Sequence, residues 1–312
     1  MNAKQFTPLM ILLCTLLSLH ASAQSYAFKV LGSKGEVTAN GTPLKVGSTL
    51  SSSQTIKIAG TAYLGLAHNS GKTLEITQAG TYKVSELQKK VTSGNSSLAG
   101  QYAKLVINEL TNAKAKNNRF NQRVKTGSVT RATLTESPVQ MMLPESIKAL
   151  DGNITLKWYL KEEADTSETV RYKITVKNIF RDVLLEAETE QSQFNLDLQD
   201  GELKGNKALL YTVTVVGNEK LSSDDHVIKR LSNKEKAEID EALKAFPDDE
   251  SAIGQLILGT YFEDKELYAN SIYVFEKAIA TSGIEEFKSY YQAFLDRNYL
   301  SKKSREQLAQ KF

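Results

Sequence analysis

Cysteine is almost missing from this sequence of 312 residues, and histidine and tryptophan are nearly as scarce, at three and one. The lone cysteine, Cys14, lies inside an apolar run near the N-terminus. If that run is a cleaved leader, no thiol remains, which excludes a disulfide framework, a thiol nucleophile and a thiolate metal site. His20 falls in the same leader, while His68 and His226 stand far apart, with no His-x-x-x-His or Glu-x-x-His spacing around them. Imidazole ligation of zinc or iron therefore has no pattern to rest on, and both are read as surface histidines. There is no Gly-x-Ser-x-Gly elbow, and Gly32-Ser33-Lys34-Gly35 lacks the length and the following helix of a phosphate loop. No metal or cofactor is expected. Beyond the leader, no stretch is apolar for long enough to cross a bilayer as a helix.

The leader itself, residues 1–23, has one early charge at Lys4, the apolar run Pro8 to Leu17, and Ala21-Ser22-Ala23. This is the pattern of a secretory signal peptide cleaved before Gln24. A lipoprotein signal would use Cys14, but Leu13 stands where a small residue is needed. Net charge is only +3, yet it is unevenly spread. Residues 26–136 carry fifteen Lys/Arg against five Asp/Glu, and residues 137–312 carry twenty-three against thirty-one. A basic front of this kind suits an anionic envelope polymer as a second candidate partner. Nucleic acid is not expected, because Arg119, Arg123, Lys125 and Arg131 have only Phe120 as aromatic company. Carboxylates for glycoside hydrolysis could be drawn from Glu162-Glu163, Glu186/Glu188/Glu190 or Asp224-Asp225. The alternating glutamates, however, read as one solvated strand face. The loops 248–250 and 263–266 lack the Asp-x-Asp-x-Asp-Gly order of a calcium loop.

From residue 26 to 87 short apolar segments recur at period two: Ile56/Ile58, Ala62/Leu64/Leu66, Leu74/Ile76 and Tyr82/Val84. Gly32, Gly35, Gly41, Gly47, Gly60, Gly71 and Gly80 fall between them, where tight reversals or positive φ are expected. The run Gly35-x-Val37, Leu44-x-x-Gly47-x-x-Leu50, Ile56, Ala62-x-Leu64 and Asn69-x-Gly71-x-x-Leu74-x-Ile76 resembles the periplasmic β-domain of the FecR family. That resemblance implies an all-β module outside the cytoplasm. Residues 88–137 then form a linker containing a helix over 98–116. Leu98, Tyr102, Leu105, Val106, Glu109 and Leu110 follow the 3.6 period, and the helix should cover a face or edge of the β-module.

Across 138–231 longer strands return at 154–160, 170–178, 183–190, 194–198 and 208–216. They are separated by turn signals such as Asp200-Gly201. Trp158, Tyr172, Leu196/Leu198 and Tyr211-x-Val213-x-Val215 resemble a fibronectin type III or related immunoglobulin-like sandwich, with Trp158 in the core.

The tail, 232–312, is helical by pattern, with helices at 233–246, 284–297 and 302–311 around a central pair. Ser232-Asn233-Lys234-Glu235 fits a capping box, and Asp248 or Asp249 can cap the helix after Pro247. From Ala252, the Leu258-Gly259 pair, Phe262, Phe275 and Ala278 resemble a tetratricopeptide repeat, with Gln255 and Ser271 departing from the usual tryptophan and alanine. The resemblance implies a ligand face on the first helix at Ile253, Leu256, Thr260, Glu263 and Asp264. The expected fold class is therefore multi-domain: an all-β FecR-like module, an all-β immunoglobulin-like sandwich and an all-α tetratricopeptide-like bundle. The expected function is that of a non-catalytic exported scaffold or adaptor that grips an envelope protein or peptide. The alternative is a cell-wall or polysaccharide-binding protein that uses the basic β-module.

Overall fold

The structure, a computed structural model, describes residues 26–91, 98–111, 137–150, 152–161, 170–246 and 250–298. The leader, the basic segment 112–136, Glu162-Glu163 and the helix expected at 302–311 lie outside the described residues. The described residues mix several β-sheets with six helices.

The first module comprises β1 (Phe28–Lys34), β2 (Val37–Ala39), β3 (Thr42–Pro43), β4 (Thr49–Leu50), β5 (Thr55–Ile58), β6 (Tyr63–His68), β7 (Thr73–Ile76) and β8 (Gly80–Lys83). They form two four-stranded sheets in the orders β4-β1-β6-β7 and β3-β2-β5-β8. Phe28, Val30, Leu64 and Leu66 of the first sheet and Val37, Ile56 and Ile58 of the second share one apolar core. The helix that follows, α1 (Val84–Val91), closes this core with Val84, Leu87 and Val91, which lie on one face at helical spacing.

Strand β6 is buried along its whole length, so both of its faces are covered. One face looks into the module's own core, and the other receives the C-terminal tail. Gly65 on that outer face has no room for a side chain, since a Cβ there would sit 2.5 Å from Ile253 Cδ1. Gly32, expected at a reversal, lies within β1 at a register shift, and a Cβ on it would come within 3.3 Å of the Phe287 ring. Gly80 likewise opens β8 rather than a turn. Neither has positive φ, whereas Gly35, Gly41, Gly47, Gly60 and Gly71 do. Gly32 is small because helices approach it, which periodicity along one strand cannot reveal.

Helix α2 (Leu98–Thr111) is wedged between the β-module and the tail. Gly100 meets the turn at Gly71, where a Cβ would stand 3.0 Å from the Gly100 carbonyl oxygen. On the other side the Tyr102 ring lies edge-on to Tyr261 at 5.4 Å, and its hydroxyl donates to Asp264 Oδ2 at 2.8 Å.

The central module contains β9 (Val139–Met141), β10 (Ser146–Ala149), β11 (Asn153–Leu160), β12 (Tyr172–Lys177), β13 (Val183–Thr189), β14 (Gln193–Asp197), a single 3-10 turn at Gly201–Leu203, β15 (Ala208–Val215), β16 (Asn218–Ser222) and β17 (His226–Arg230). A three-stranded sheet, β14-β11-β9, accompanies a six-stranded one, β10-β17-β15-β12-β13, with β16 added on β15. All pairings are antiparallel except β10 with β17. Leu156 and Trp158 of β11 share a core with Ile174, Val176, Leu209, Tyr211 and Val213. Trp158 is 1% exposed, edge-on to Tyr172 at 5.4 Å, as a core role requires.

The tail holds α3 (Asn233–Leu243), α4 (Ala252–Asp264), α5 (Tyr268–Ser282) and α6 (Glu285–Arg297). Ser232 forms the capping box with Glu235. The next helix is capped by Ser251, whose hydroxyl accepts from the Gly254 N–H; Asp248 and Asp249 lie outside the described residues. Helices α4 and α5 form an antiparallel hairpin in which Gly259 lets the Phe275 ring lie against the α4 backbone. Phe275 in turn meets Tyr290, Tyr291 and Phe294 of α6 at 5.0–6.0 Å. The buried core of the tail runs on without a break into α2, the central module and the outer face of β1–β6.

Candidate functional site

The five residues expected to line a ligand face on the first tail helix divide four to one. Ile253, Leu256, Thr260 and Glu263 are all 0% exposed. Only Asp264, at the end of α4, reaches solvent, and it accepts the Tyr102 hydrogen bond and lies 3.5 Å from Lys265 Nζ. The face is filled from within the chain. Ile253 sits over Gly65, and its N–H donates to Glu75 Oε1 at 2.6 Å, the oxygen that also accepts from Tyr63 Oη at 2.6 Å. Burial and the Glu75 carboxylate together push the Tyr63 phenol far above its ordinary range. Thr260 bonds the Tyr290 hydroxyl at 2.7 Å. Glu263 takes two bonds from the Arg297 guanidinium, each 3.1 Å, and a third from Asn298. Arg297 also donates to Glu109 of α2. What a single repeat would offer to a peptide is thus occupied by α2, α6 and the β-module.

An open site lies elsewhere, between the central module and α5. Two contacts set its width: the Lys148 N–H donates to the Glu266 carbonyl at 3.3 Å, and Lys148 Nζ lies between Glu266 (3.3 Å) and Glu235 (3.5 Å). These hold the α4–α5 turn against β10. Glu266 adopts φ 61° there, which reverses the chain so that the first two turns of α5 lean over the start of β11. The cleft left between them has a volume of about 340 Å³. Leu143, Ala149 and Ile272 give it apolar walls, Thr155 and Lys157 project from the outer face of β11, and Tyr273 stands 67% exposed at its rim. Thr155 is oriented by its hydroxyl, which donates to Asn195 Oδ1 at 2.8 Å. An apolar slot with a few polar groups can take up a protruding side chain or two. Its volume is near the lower end of the roughly 300–1,000 Å³ that small-molecule sites span.

The sequence carried two signals for surface recognition that periodicity passes over. Ile179-Phe180 lies in the turn between two strands, where polar residues are the norm, and Tyr273 occupies a solvent phase of α5. Both histidines, expected at the surface, are instead packed against aromatic rings. His68 is 5% exposed, 5.2 Å from Phe28, with Nδ1 bonded to Ser70 Oγ at 2.8 Å. His226 is half-buried, 5.5 Å from Tyr211. Burial holds both imidazoles below the usual histidine range, helped by Lys72 at His68 and opposed at His226 by the Pro144 backbone, Asp224 and Asp225. Among the described residues no group of three His, Cys, Asp or Glu is placed to hold a metal ion. Of the candidate carboxylates, Glu186 and Glu188 form cross-strand ion pairs with Lys173 and Arg171, Asp224 accepts from Ser137, and Asp225 pairs with Arg181. No helix of the described residues is long and apolar enough to cross a membrane. No family model matches this chain, and no curated protein matches it.

Proposed function

We propose that this chain is a non-catalytic scaffold or adaptor of the bacterial cell envelope, exported by its leader, that takes hold of a protein partner in the cleft between the sandwich and α5. The observation that carries this reading is the cleft itself: apolar walls, oriented polar groups and an exposed tyrosine, held open by the Lys148 contacts with Glu235 and Glu266. The module identities belong to the same proposal. Two sheets that pair antiparallel apart from β10 with β17, over a core that holds Trp158, support a fibronectin type III or immunoglobulin-like sandwich. The contact of Gly259 with Phe275 supports a tetratricopeptide-like hairpin. The FecR-like reading of the first module rests on its glycine and apolar order.

The test is in-cell photocrosslinking from position 273, with position 220 on the β15–β16 hairpin as control. A partner captured from 273 and absent from 220 supports the reading, and equal capture from both positions sinks it. N-terminal sequencing of the mature chain should begin at Gln24; a chain that keeps its leader removes the export part of the proposal.

A second reading, binding of an anionic wall polymer, has its own observation. The outer face of β2, β5 and β8 sets Thr38 beside Lys57 and Thr81, and Thr55 beside Lys83, with both lysines exposed. If this face binds polymer, Lys57→Glu with Lys83→Glu abolishes retention of the full chain on purified wall glycans.

A further inference from the structure

Five large apolar side chains stand exposed among the described residues, and four of them belong to two features. Tyr273 is on the rim of the cleft; Ile179, Phe180 and Val183, exposed 62%, 79% and 51%, form a finger at the tip of the β12–β13 hairpin. The finger is a built turn. Asn178 Oδ1 accepts from the N–H groups of Phe180 (2.8 Å) and Asp182 (3.0 Å), and Asn178 Nδ2 donates to Asp182 Oδ2 at 2.8 Å. Arg181 takes a left-handed φ of 71°, and its guanidinium reaches Asp225 at 2.9 Å. A tip ordered in advance loses little conformational entropy when it docks, and exposed apolar groups held in this way mark interaction sites.

Strand register puts finger and cleft at one end of the sandwich. Lys177, the last residue of β12, lies opposite Leu210 of β15; two residues earlier in β15, Ala208 lies opposite Lys229 of β17. The same end of β17 pairs Arg230 with Ala149, where β10 gives way to the cleft. A projection and a recess at the same end of one molecule can satisfy each other reciprocally across a two-fold axis, which closes the assembly instead of propagating it.

We propose that the partner is a second copy of this chain. Two molecules meet sandwich end to sandwich end, and each sets Phe180 and Ile179 of its finger against Ile272 and Tyr273 in the other's cleft. This rests on the reading that the cleft holds a protein segment and names that segment.

Analytical ultracentrifugation of the full chain tests it, with Phe180→Ser as the finger variant and Tyr273→Arg as the cleft variant. Both positions are exposed, so melting should be unchanged in either. The unmodified chain should show a monomer–dimer equilibrium, and each variant should raise the dimer Kd about a hundredfold, because a tenfold loss at each of two contacts multiplies. An equimolar mixture of the two variants should regain association, since the intact finger of one still meets the intact cleft of the other. A chain that stays monomeric at millimolar concentration, or a dimer indifferent to both substitutions, overturns the proposal. If crosslinking from position 273 then captures a different protein, the adaptor reading survives the loss of this one. If it captures nothing specific, both fall.

Discussion

Arg297 and Glu263 form a two-pronged ion pair, 3.1 Å at each prong, with both side chains almost wholly removed from solvent. Glu109 of α2 shares the same guanidinium, so one cation ties the C-terminal ends of α4 and α6 to α2. Removing one member of a buried ion pair strands the others, whereas replacing all of them by apolar groups is often neutral. Arg297→Met should therefore destabilise the chain by about 3–5 kcal/mol in urea unfolding. Joining it with Glu109→Leu and Glu263→Leu should recover most of that loss. A triple variant less stable than the single one would mean that these charges stabilise more than they cost to bury.

The filled face of α4 leads to a second expectation. Phe275, 0% exposed and ringed by three aromatics, should cost about 3–5 kcal/mol when cut to alanine. If Leu256 and Glu263 lined a ligand groove, Leu256→Ala with Glu263→Lys would leave melting nearly unchanged. Both are 0% exposed here, and a lysine at 263 would confront Arg297. The pair should melt the chain at least as far as Phe275→Ala does, as thermal denaturation followed by circular dichroism would show.

Why the strands were legible and the site was not comes down to range. Period-two burial along β11 and β15 is local, and Trp158 and Tyr211 lie on the inward phase that alternation assigns them. The capping box at Ser232 is equally local. Which surface a helix then covers is decided by partners far away in the chain. Helix α2 shows this: its apolar phase was readable, but its contacts with Tyr261 and Arg297 lie more than a hundred residues off. Glu263 illustrates the reverse error, because a carboxylate reads as surface until its buried cation is known. The cleft depends on how two modules meet, which neither module's pattern encodes.

Glycine 259 offers a sharper test of packing. Alanine is favoured over glycine inside a helix by about 1 kcal/mol, so propensity alone would make Gly259→Ala stabilising. A Cβ there would lie 2.4–2.8 Å from three atoms of the Phe275 ring, which is enclosed on its other sides. Overpacking of this kind costs about 1–3 kcal/mol, so the clash should win and Gly259→Ala should unfold at lower urea. Combining it with Phe275→Leu, which narrows the ring's footprint, should bring the cost of the alanine close to zero in a double-mutant cycle. An alanine that stabilises the unmodified background would show that the helices are free to move apart.

The two histidines make stability depend on pH in one direction. Both imidazoles are held below their ordinary value, chiefly by burial, so the folded chain binds these protons less readily than the unfolded chain does. Their contribution is fully present above the unfolded value of about 6.5 and is lost as pH falls from there through the lowered folded values. Acidic neighbours at His226, namely Asp224 and Asp225, oppose the shift, and Lys72 at His68 adds to it. Urea unfolding should therefore give a smaller free energy at pH 5.5 than at pH 7.5. His68→Gln with His226→Gln should flatten that difference. Each glutamine stays neutral across the range, so a slope that persists unchanged in the double variant would place the acid sensitivity in carboxylates instead.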